Sequence, residues 1–560
     1  MFMQQPEADR LVQAATAEIA SGRADQAAVF LAQALNATPN HPMALTKQAE
    51  LALLAKDPAR ALAMTDAVLD IEPNFAPAWH QRASALWLAG RQAEALHAAN
   101  RAVEIQPPNP AFRLRLAQFA AWTGHGAAFR DVLLPLLAGE QYDPAGYAAA
   151  VAMLGEQAIA EGRFDDAGPF LDHALRLEPD FMVARMLRGM NRLRLGQYRE
   201  GWIDYASRER IPELYPNGQT KISDQGWQGQ EWQGQALAGK TLLVTDDQGH
   251  GDAIQFVRYL PHLRDRGVAH VTWRTFPPLV RLLADAAPYA TVLNVLPDSM
   301  RFDFHCNSTS LPRWFATEMG NIPAAVPYLR PPSHLKSAMK RPAGRRSAQG
   351  RPLRVGLVWS GDARHTRDHL RSIPADLFLR LADVAGISFH SLQHEVRPAD
   401  AAALQACPAI GREVEKALDF ADTAALIARL DLVIAVDTGV AHLAAALGKP
   451  VWVMLHVAPD WRWMVDRVDC PWYPTMRLFR VTPAEWLGPC RAVIPAAEPG
   501  TIPGSGGETG PRVNPGDDGR GASGDDAPAA TLQRGMPQNG ADWVPVLGRV
   551  ETALRALAGG

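Results

Sequence analysis

The sequence predicts an N-terminal α-solenoid followed by an α/β region of two Rossmann-like halves, and three observations carry that prediction. Pro39, Pro73 and Pro107 are spaced by thirty-four residues, each after an Ala-rich helical stretch, and Pro179 lies close to two further periods on. From about Leu237 onward, short runs rich in Val, Ile and Leu alternate with helical patterns, the signature of parallel strands with crossover helices. Leu430 to Leu455, LDLVIAVDTGVAHLAAALGKPVWVML, condenses that alternation into a buried strand, a polar turn, a short helix and a second strand.

Composition sets the outer limits. At 560 residues the chain exceeds one hydrophobic core, and 47% hydrophobic with 21% charged residues is ordinary for soluble globular protein. A net charge of -3 gives no overall electrostatic footprint for nucleic acid, so no nucleic-acid partner is expected. Cys306, Cys407, Cys470 and Cys490 show no CxxC spacing, which argues against a disulfide framework or a zinc site and for a reducing, cytoplasmic setting. MFMQQPEADRL meets acidic residues before any apolar core forms, so no signal peptide is expected. No uncharged apolar run reaches the roughly 20 residues of a membrane span, so no transmembrane segment is expected either.

Residues 1–212 form the repeat domain. Trp79, Ala83, Leu86, Ala95 and Ala102 precede Pro107 at the offsets by which Leu45, Ala49, Ala52, Ala61 and Val68 precede Pro73. Small residues thus recur where paired helices must approach closely. The pattern resembles the tetratricopeptide repeat over roughly residues 8 to 210, less regularly around Thr123 to Ala150. Such stacks leave an extended concave face that holds a protein partner or simply braces the α/β region. Trp79 and Trp87 are expected in the core rather than at a contact surface.

The first Rossmann-like domain is placed at 213–335. It opens on QGWQGQEWQGQALAGK, read as an irregular lead-in. A strand follows at Thr241 to Thr245, then a tight turn at Gly249 and Gly251, and Asp252 falls at the start of a helix whose face is Ile254, Val257 and Leu260. Further strands are expected at Ala269 to Trp273 and within Tyr289 to Leu296. Residues 336–352 are basic and poor in large apolar side chains, hence a linker. The second Rossmann-like domain, 353–497, starts with the strand LRVGLVWSG and contains the 430–455 stretch. Residues 498–540 are rich in Gly, Pro and Asp and are expected to be a disordered linker. Leu547, Val550, Leu554 and Leu557 share one helical face, so 541–560 is expected to pack back on the body.

The chemistry should gather at strand ends. Asp437 and Thr438 follow a strand and precede a helix, where backbone N–H groups and the helix dipole favour a phosphate. Ser360 and Gly361 end another strand and Gln393 a third. GHGD lacks the third glycine of a dinucleotide fingerprint, since Ile254 stands there, and this disfavours an NAD enzyme. No Asp-x-Asp occurs, so no metal and no cofactor are expected.

Taken in order, GDAIQFVRYLP, WSGDARHTRDHLRSIP, SLQ, FADTAALIARLDLVIAVDTG, PDWRWM and PWYP resemble glycosyltransferase family nine, the heptosyltransferase-like enzymes, over roughly residues 195 to 495. The resemblance is greatest to bacterial forms fused to tetratricopeptide repeats. It implies a GT-B architecture and transfer of a hexosyl or heptosyl group from a nucleotide-sugar donor to a protein or saccharide acceptor. Inversion and metal independence are expected, with the first half on the acceptor side and the second on the donor side. Asp252 matches the family's proposed general base; from spacing alone it is equally a helix cap. Arg371 matches a basic position suited to the leaving diphosphate, with Arg367 second, although surface ion pairs with Asp368 or Asp376 would also explain them. Ser360, Gly361, Gln393, Asp437, Thr438, Gly439, Val440 and His442 are the expected donor-binding residues, with Asp460 and Arg462 in a lesser place. Trp461 and Trp463 offer a stacking surface for a base or sugar. Asp246, Asp247, Gln248 and His250 stand where fused relatives commonly have smaller or apolar residues, which leaves the acceptor open. Two other functions fit the architecture: a non-catalytic repeat scaffold with a relic nucleotide-binding domain, and a protein O-glycosyltransferase.

Overall fold

The computed structural model describes residues 5–122, 129, 132–133, 144–211, 228–297, 300–338, 352–363, 365, 368–486 and 541–559. The expected basic linker, apart from its edges, the expected disordered stretch 498–540 and Arg367 lie outside these residues. The chain divides into two compact units. Of the described residues, those within 5–157 and 169–181 make up one, and those within 158–168, 182–486 and 541–559 the other.

In the first unit, antiparallel helix pairs follow one another: α1 (Gln5–Ala20), α2 (Ala24–Ala37), α3 (Pro42–Leu54), α4 (Pro58–Ile71), α5 (Ala76–Leu88), α6 (Gln92–Ile105) and α7 (Pro110–Trp122). Pro39, Pro73 and Pro107 occupy the turns between pairs, where a missing N–H interrupts no ladder. The turns within pairs carry the same period in their backbone. Gly22, Lys56 and Gly90, thirty-four residues apart, all have φ between 58° and 76°. That left-handed conformation ends the first helix of each pair, and Lys56 holds it without the freedom of glycine. Ala8, Ala15, Ala27, Ala34, Ala49, Ala61, Ala83 and Ala95 are buried at the helix crossings. Trp87 stacks on Phe119 at 4.5 Å, and Trp79 packs partly buried against the same core, as expected of core residues.

Two further helices, α8 (Pro144–Ala160) and α9 (Phe164–Leu177), lead to the hairpin that opens the main part of the second unit, α10 (Met182–Arg194) and α11 (Tyr198–Tyr205), which ends in a 3-10 turn, Ala206–Arg210. Two sheets follow. The first contains β1 (Gln228–Glu231), β2 (Thr241–Thr245), β3 (His270–Arg274), β4 (Ala290–Leu293) and β5 (Arg301–Asn307) in the order β1-β5-β2-β3-β4, all parallel. The lead-in expected to be irregular is therefore a strand in part. Polar β1 has weak strand propensity, but β5 supplies a backbone ladder at the sheet edge, where polar residues cost little. Strand β5, RFDFHCN, escaped the sequence pattern because its charged and polar positions blur the alternation.

The second sheet contains β6 (Leu353–Val358), β7 (Ile387–Ser391), β8 (Leu432–Val436), β9 (Val451–Leu455), β10 (Asp469–Cys470) and β11 (Tyr473–Arg480), ordered β10-β11-β9-β8-β6-β7. Only the short β10 runs antiparallel. All residues of β8 and β9 are buried, as their unbroken apolar runs require. The last helix, α15 (Val544–Gly559), lays Val546, Leu547, Val550 and Leu554 into the core under this sheet, whereas Leu557, expected on the same face, is exposed. Among the described residues, no helix is long and apolar enough to cross a membrane.

Candidate active site

Each sheet has a point where its strand order reverses, and ligands of open α/β sheets bind outside the carboxyl ends of strands there. In the first sheet β2 is flanked by β3 and β5; in the second β6 is flanked by β7 and β8. The residues that end these strands are the ones the sequence singles out. Helix α12 (His250–Phe256) follows β2 after the Gly-rich turn, and α14 (Gly439–Ala446) follows β8 after Asp437 and Thr438. α13 (Phe420–Ile427) precedes β8. The N-terminal turns of α12 and α14 abut: a Cβ added at Gly251 would lie 2.9 Å from His442 Cδ2 and 3.5 Å from the Gly439 Cα. Any larger residue at 251 would separate the two switch points, which is the physical reason for glycine there.

On the side of the second sheet, the Arg371 guanidinium lies over Gly361, where a Cβ would come within 2.5–2.6 Å of it. Arg371 Nη1 donates to the Asp437 carbonyl at 3.3 Å and Nε to Asp368 Oδ1 at 3.2 Å. The ion pair with Asp368 is thus present, and so is the placement beside the Asp437 turn. Arg397 joins them, donating to Asp368, to the Gly361 carbonyl at 3.1 Å and to Ser372 Oγ at 3.1 Å. No spacing in the sequence signals Arg397; the loop after β7 delivers it. Ser360 is buried at the end of this turn, and its Oγ and the Thr438 Oγ1 are buried without a hydrogen-bond partner among the described residues.

Gln393 departs from expectation. Its Oε1 accepts from the Trp359 and Ser360 N–H groups at 3.2 and 3.1 Å, and its Nε2 donates to the Ser360 and Glu395 carbonyls at 3.1 and 3.0 Å. Gln393 therefore fastens the turn after β6 and presents no free polar edge to a ligand. His442 departs similarly. It is buried, with Nδ1 2.8 Å from the Tyr473 hydroxyl and its ring 5.2 Å from that of Trp463. Burial, followed by the positive charges of Arg462 and Arg258, pushes its pKa well below the usual range, so the ring is neutral. It stands behind Asp437, Nε2 to Oδ1 4.0 Å, and does not face open space as a phosphate donor. Trp461 and Trp463 are fully buried in the core and offer no stacking surface. Val440 is buried in the first turn of α14.

Asp252 and Arg462 are brought together although 210 residues separate them. Asp252 Oδ1 accepts from Arg462 Nη2, and Oδ2 accepts from the Gly249 N–H at 2.9 Å. The carboxylate is thus both the helix cap and a member of the charged cluster. Arg462 Nη1 is 3.0 Å from Asp460 Oδ1. Burial opposes the charge of Arg462, yet Asp460, Asp252 and Asp437 together hold its pKa above the usual range. Burial, then the charge of Asp460, raises the pKa of Asp437, with Arg462 and Arg371 acting in the opposite sense. One buried guanidinium therefore sits among three carboxylates at the junction of the two strand-end edges. The side chains of Asp252, Asp437 and Asp460 keep 15%, 19% and 26% exposure, enough to meet a bound molecule.

An array of helical repeats followed by two largely parallel sheets, with acidic and basic side chains gathered at their switch points, defines the class: a repeat-bearing α/β protein. Comparison with known proteins narrows it. Residues 393–456 match glycosyltransferase family 9 (heptosyltransferase), and residues 76–119 match the tetratricopeptide repeat. One segment of the chain is thus similar to family 9 glycosyltransferases and another to the tetratricopeptide repeat. Asp437 to His442 lie inside the matched segment, whereas Asp252, Ser360, Gly361, Arg371, Asp460 and Arg462 lie outside it. A relative in Caulobacter vibrioides, protein FlbA, is 28% identical over 340 residues, 54% of this chain and 52% of that protein. The chain spans about half the length of that curated relative. Among solved structures, a thermophilic TPR protein of Thermus thermophilus is 20% identical, covering 33% of this chain and 99% of its own, with a TM-score of 0.30. PilF of Pseudomonas aeruginosa is 17% identical, covering 38% and 95%, with a TM-score of 0.29.

Proposed function

We propose that the chain is an inverting glycosyltransferase of GT-B form that moves a sugar from a nucleotide-sugar donor to a saccharide or protein acceptor without a metal ion. The observation that supports this reading best is the meeting of the two strand-end edges at Gly251 and Gly439, with Asp252 on one side and Arg371 on the other. The donor diphosphate would lie along the turn at Thr438 and Gly439, where Arg371 and Arg397 supply positive charge for the leaving group. Ser360 and Thr438, each with a buried hydroxyl lacking a partner among the described residues, line the same turn.

Asp252 would take the proton of the acceptor hydroxyl as it attacks the anomeric carbon. The C–O bond to the diphosphate breaks as the new glycosidic bond forms on the opposite face, which inverts the centre. Arg462, which donates to Asp252, would share its charge with the donor diphosphate, and this gives Arg462 a place in donor binding. Asp437 and Asp460 would accept donor hydroxyls. The repeats would recruit or orient the acceptor.

The test is a panel of UDP-, GDP-, ADP- and dTDP-linked sugars, followed by thermal shift and by nucleoside diphosphate release, with NMR of the anomeric proton in any product. At least one donor should stabilise the protein and be turned over with inversion, and Asp252→Asn should slow turnover by roughly 10²–10⁴-fold. Absence of binding by every nucleotide sugar would leave the repeat-scaffold function standing. Retention of configuration would exclude single displacement.

A further inference from the structure

We propose that the closing hairpin of the repeat array, α10 and α11 with the 3-10 turn after them, is a working part of the active site, in which Tyr205 and Arg208 are positioning residues for the turn that carries Asp252. The inference rests on the reading of Asp252 as the base. Its grounds are contacts that a spacer between repeats and sheets would not need.

The hairpin is tight. A Cβ at Gly189 would lie 2.4 Å from the Tyr205 N, so α10 and α11 pack backbone to backbone. Asp204 is gripped by Arg188 at 2.7 and 3.0 Å and by Arg192 at 2.7 Å. From this rigid base, Tyr205 and Arg208 reach the turn between β2 and α12. The Gln248 amide donates to the Tyr205 hydroxyl at 2.8 Å, and Gln248 immediately precedes the Gly-His-Gly-Asp stretch. Arg208 is buried, with its guanidinium 4.4 Å over the Tyr205 ring and 3.6 Å from Asp247. It also donates to Thr309 and, at 3.0 Å, to Ser310 Oγ. Thr309 Oγ1 is 2.7 Å from both carboxylate oxygens of Asp247. The end of β2, the end of β5 and the hairpin are thereby joined through one buried polar network.

The same hairpin holds the opposite wall. Arg194 donates twice to the Pro459 carbonyl, at 3.1 and 3.0 Å, directly before Asp460. The rings of Trp202 and Trp461 meet edge to face at 5.1 Å. Both partners of the Asp252–Arg462 pair are therefore braced from one element, and the unusual Asp247 and Gln248 are the positions that receive it. A fixed turn matters because a displacement of about 1 Å at a base costs on the order of 10²-fold in rate.

The experiment uses the full chain with Tyr205→Phe, Arg208→Lys, Arg208→Met and Asp252→Asn. Hydrogen exchange is followed in fragments covering 246–256 and 432–446, and turnover is measured with the UDP-, GDP-, ADP- and dTDP-linked sugars as separate probes. Tyr205→Phe and Arg208→Met should speed exchange at 246–256 but not at 432–446. They should lower kcat at least tenfold with donor KM within twofold, and Arg208→Lys should recover part of the loss. A merely structural role would loosen both fragments or leave kcat untouched. Should Arg208→Met fail to fold, Tyr205→Phe, which removes a single hydroxyl, decides. Wild-type kcat in Tyr205→Phe and Arg208→Met beside an inactive Asp252→Asn overturns the positioning inference alone. Wild-type kcat in Asp252→Asn overturns the base reading instead. If no probe is turned over by the wild-type chain, unchanged exchange at 246–256 in both variants overturns the inference.

Discussion

Gly361 lacks a side chain where Arg371 needs the space, and the pair gives a test at the scale of single residues. In Gly361→Ala the added Cβ meets the far end of a flexible side chain, so the guanidinium shifts while the fold persists. Affinity for UDP, GDP or ADP, whichever binds, should fall about tenfold, the loss of roughly 1.5 kcal/mol of charged hydrogen bonding, with Tm almost unchanged by thermal shift. Asp246 and Asp247 give a second test. Burial is the largest cause that lifts each of them to about 6, with their hydrogen-bond donors and Arg208 acting against it. The folded pKa lies above the ordinary 3.8, so between about 4 and 6 the folded chain keeps protons that the unfolded chain has released. Stability from these groups is present below 3.8 and is lost as pH rises through about 6. Asp246→Asn removes one such slope. The Tm of Asp246→Asn minus that of the wild type should grow from pH 4 to pH 7, and a difference that shrinks over that range would contradict the assignment.

Turns and packed faces decide the next scale. Lys56 adopts φ 58° where Gly22 and Gly90 adopt 74° and 76°. Left-handed backbone costs a residue with a Cβ about 1–2 kcal/mol, and glycine's extra chain entropy returns part of that. Lys56→Gly should therefore stabilise the repeats by about 0.5–1 kcal/mol in urea unfolding followed by helical circular dichroism. Helix α15 covers the second sheet with Leu554 fully buried. Leu554→Ala should cost about 2–5 kcal/mol, read as a lower urea midpoint for the unit that holds both sheets. The thirty-four-residue period and the strand-turn-helix at 432–446 were legible in the sequence because each is set by neighbours in the chain. β1 and β5 were not, since their polar and charged positions blur the strand pattern and only the ladder between them makes them strands.

For the whole molecule, two compact units predict two melting transitions. Calorimetry of the full chain should resolve them, with Lys56→Gly raising one and Leu554→Ala lowering the other. A single transition moved by both substitutions would show that the units unfold together. Within the second unit the two sheets are tied by further contacts: Arg281 of the first half pairs with Asp419 and Asp422 of the second, each at 2.7 Å, and the His250 ring lies against those of Phe276 and Phe420.

By itself the sequence determined the repeat array, the alternation of apolar strands and helices that forms most of the α/β region, and the kinds of residue that stand at strand ends, because periodicity, caps and turns are local. It named Asp252, Arg371, Asp437 and Arg462 without showing that Asp252 and Arg462 touch. Only the tertiary structure decided that. It turned His442, Gln393, Trp461 and Trp463 inward, where burial and satisfied hydrogen bonds fix them as supports. It also brought Arg397, Tyr205 and Arg208 to the strand ends. The reason is physical: which carboxylate meets which guanidinium depends on how two sheets and a helical hairpin close upon one another, and no spacing along the chain encodes that distance.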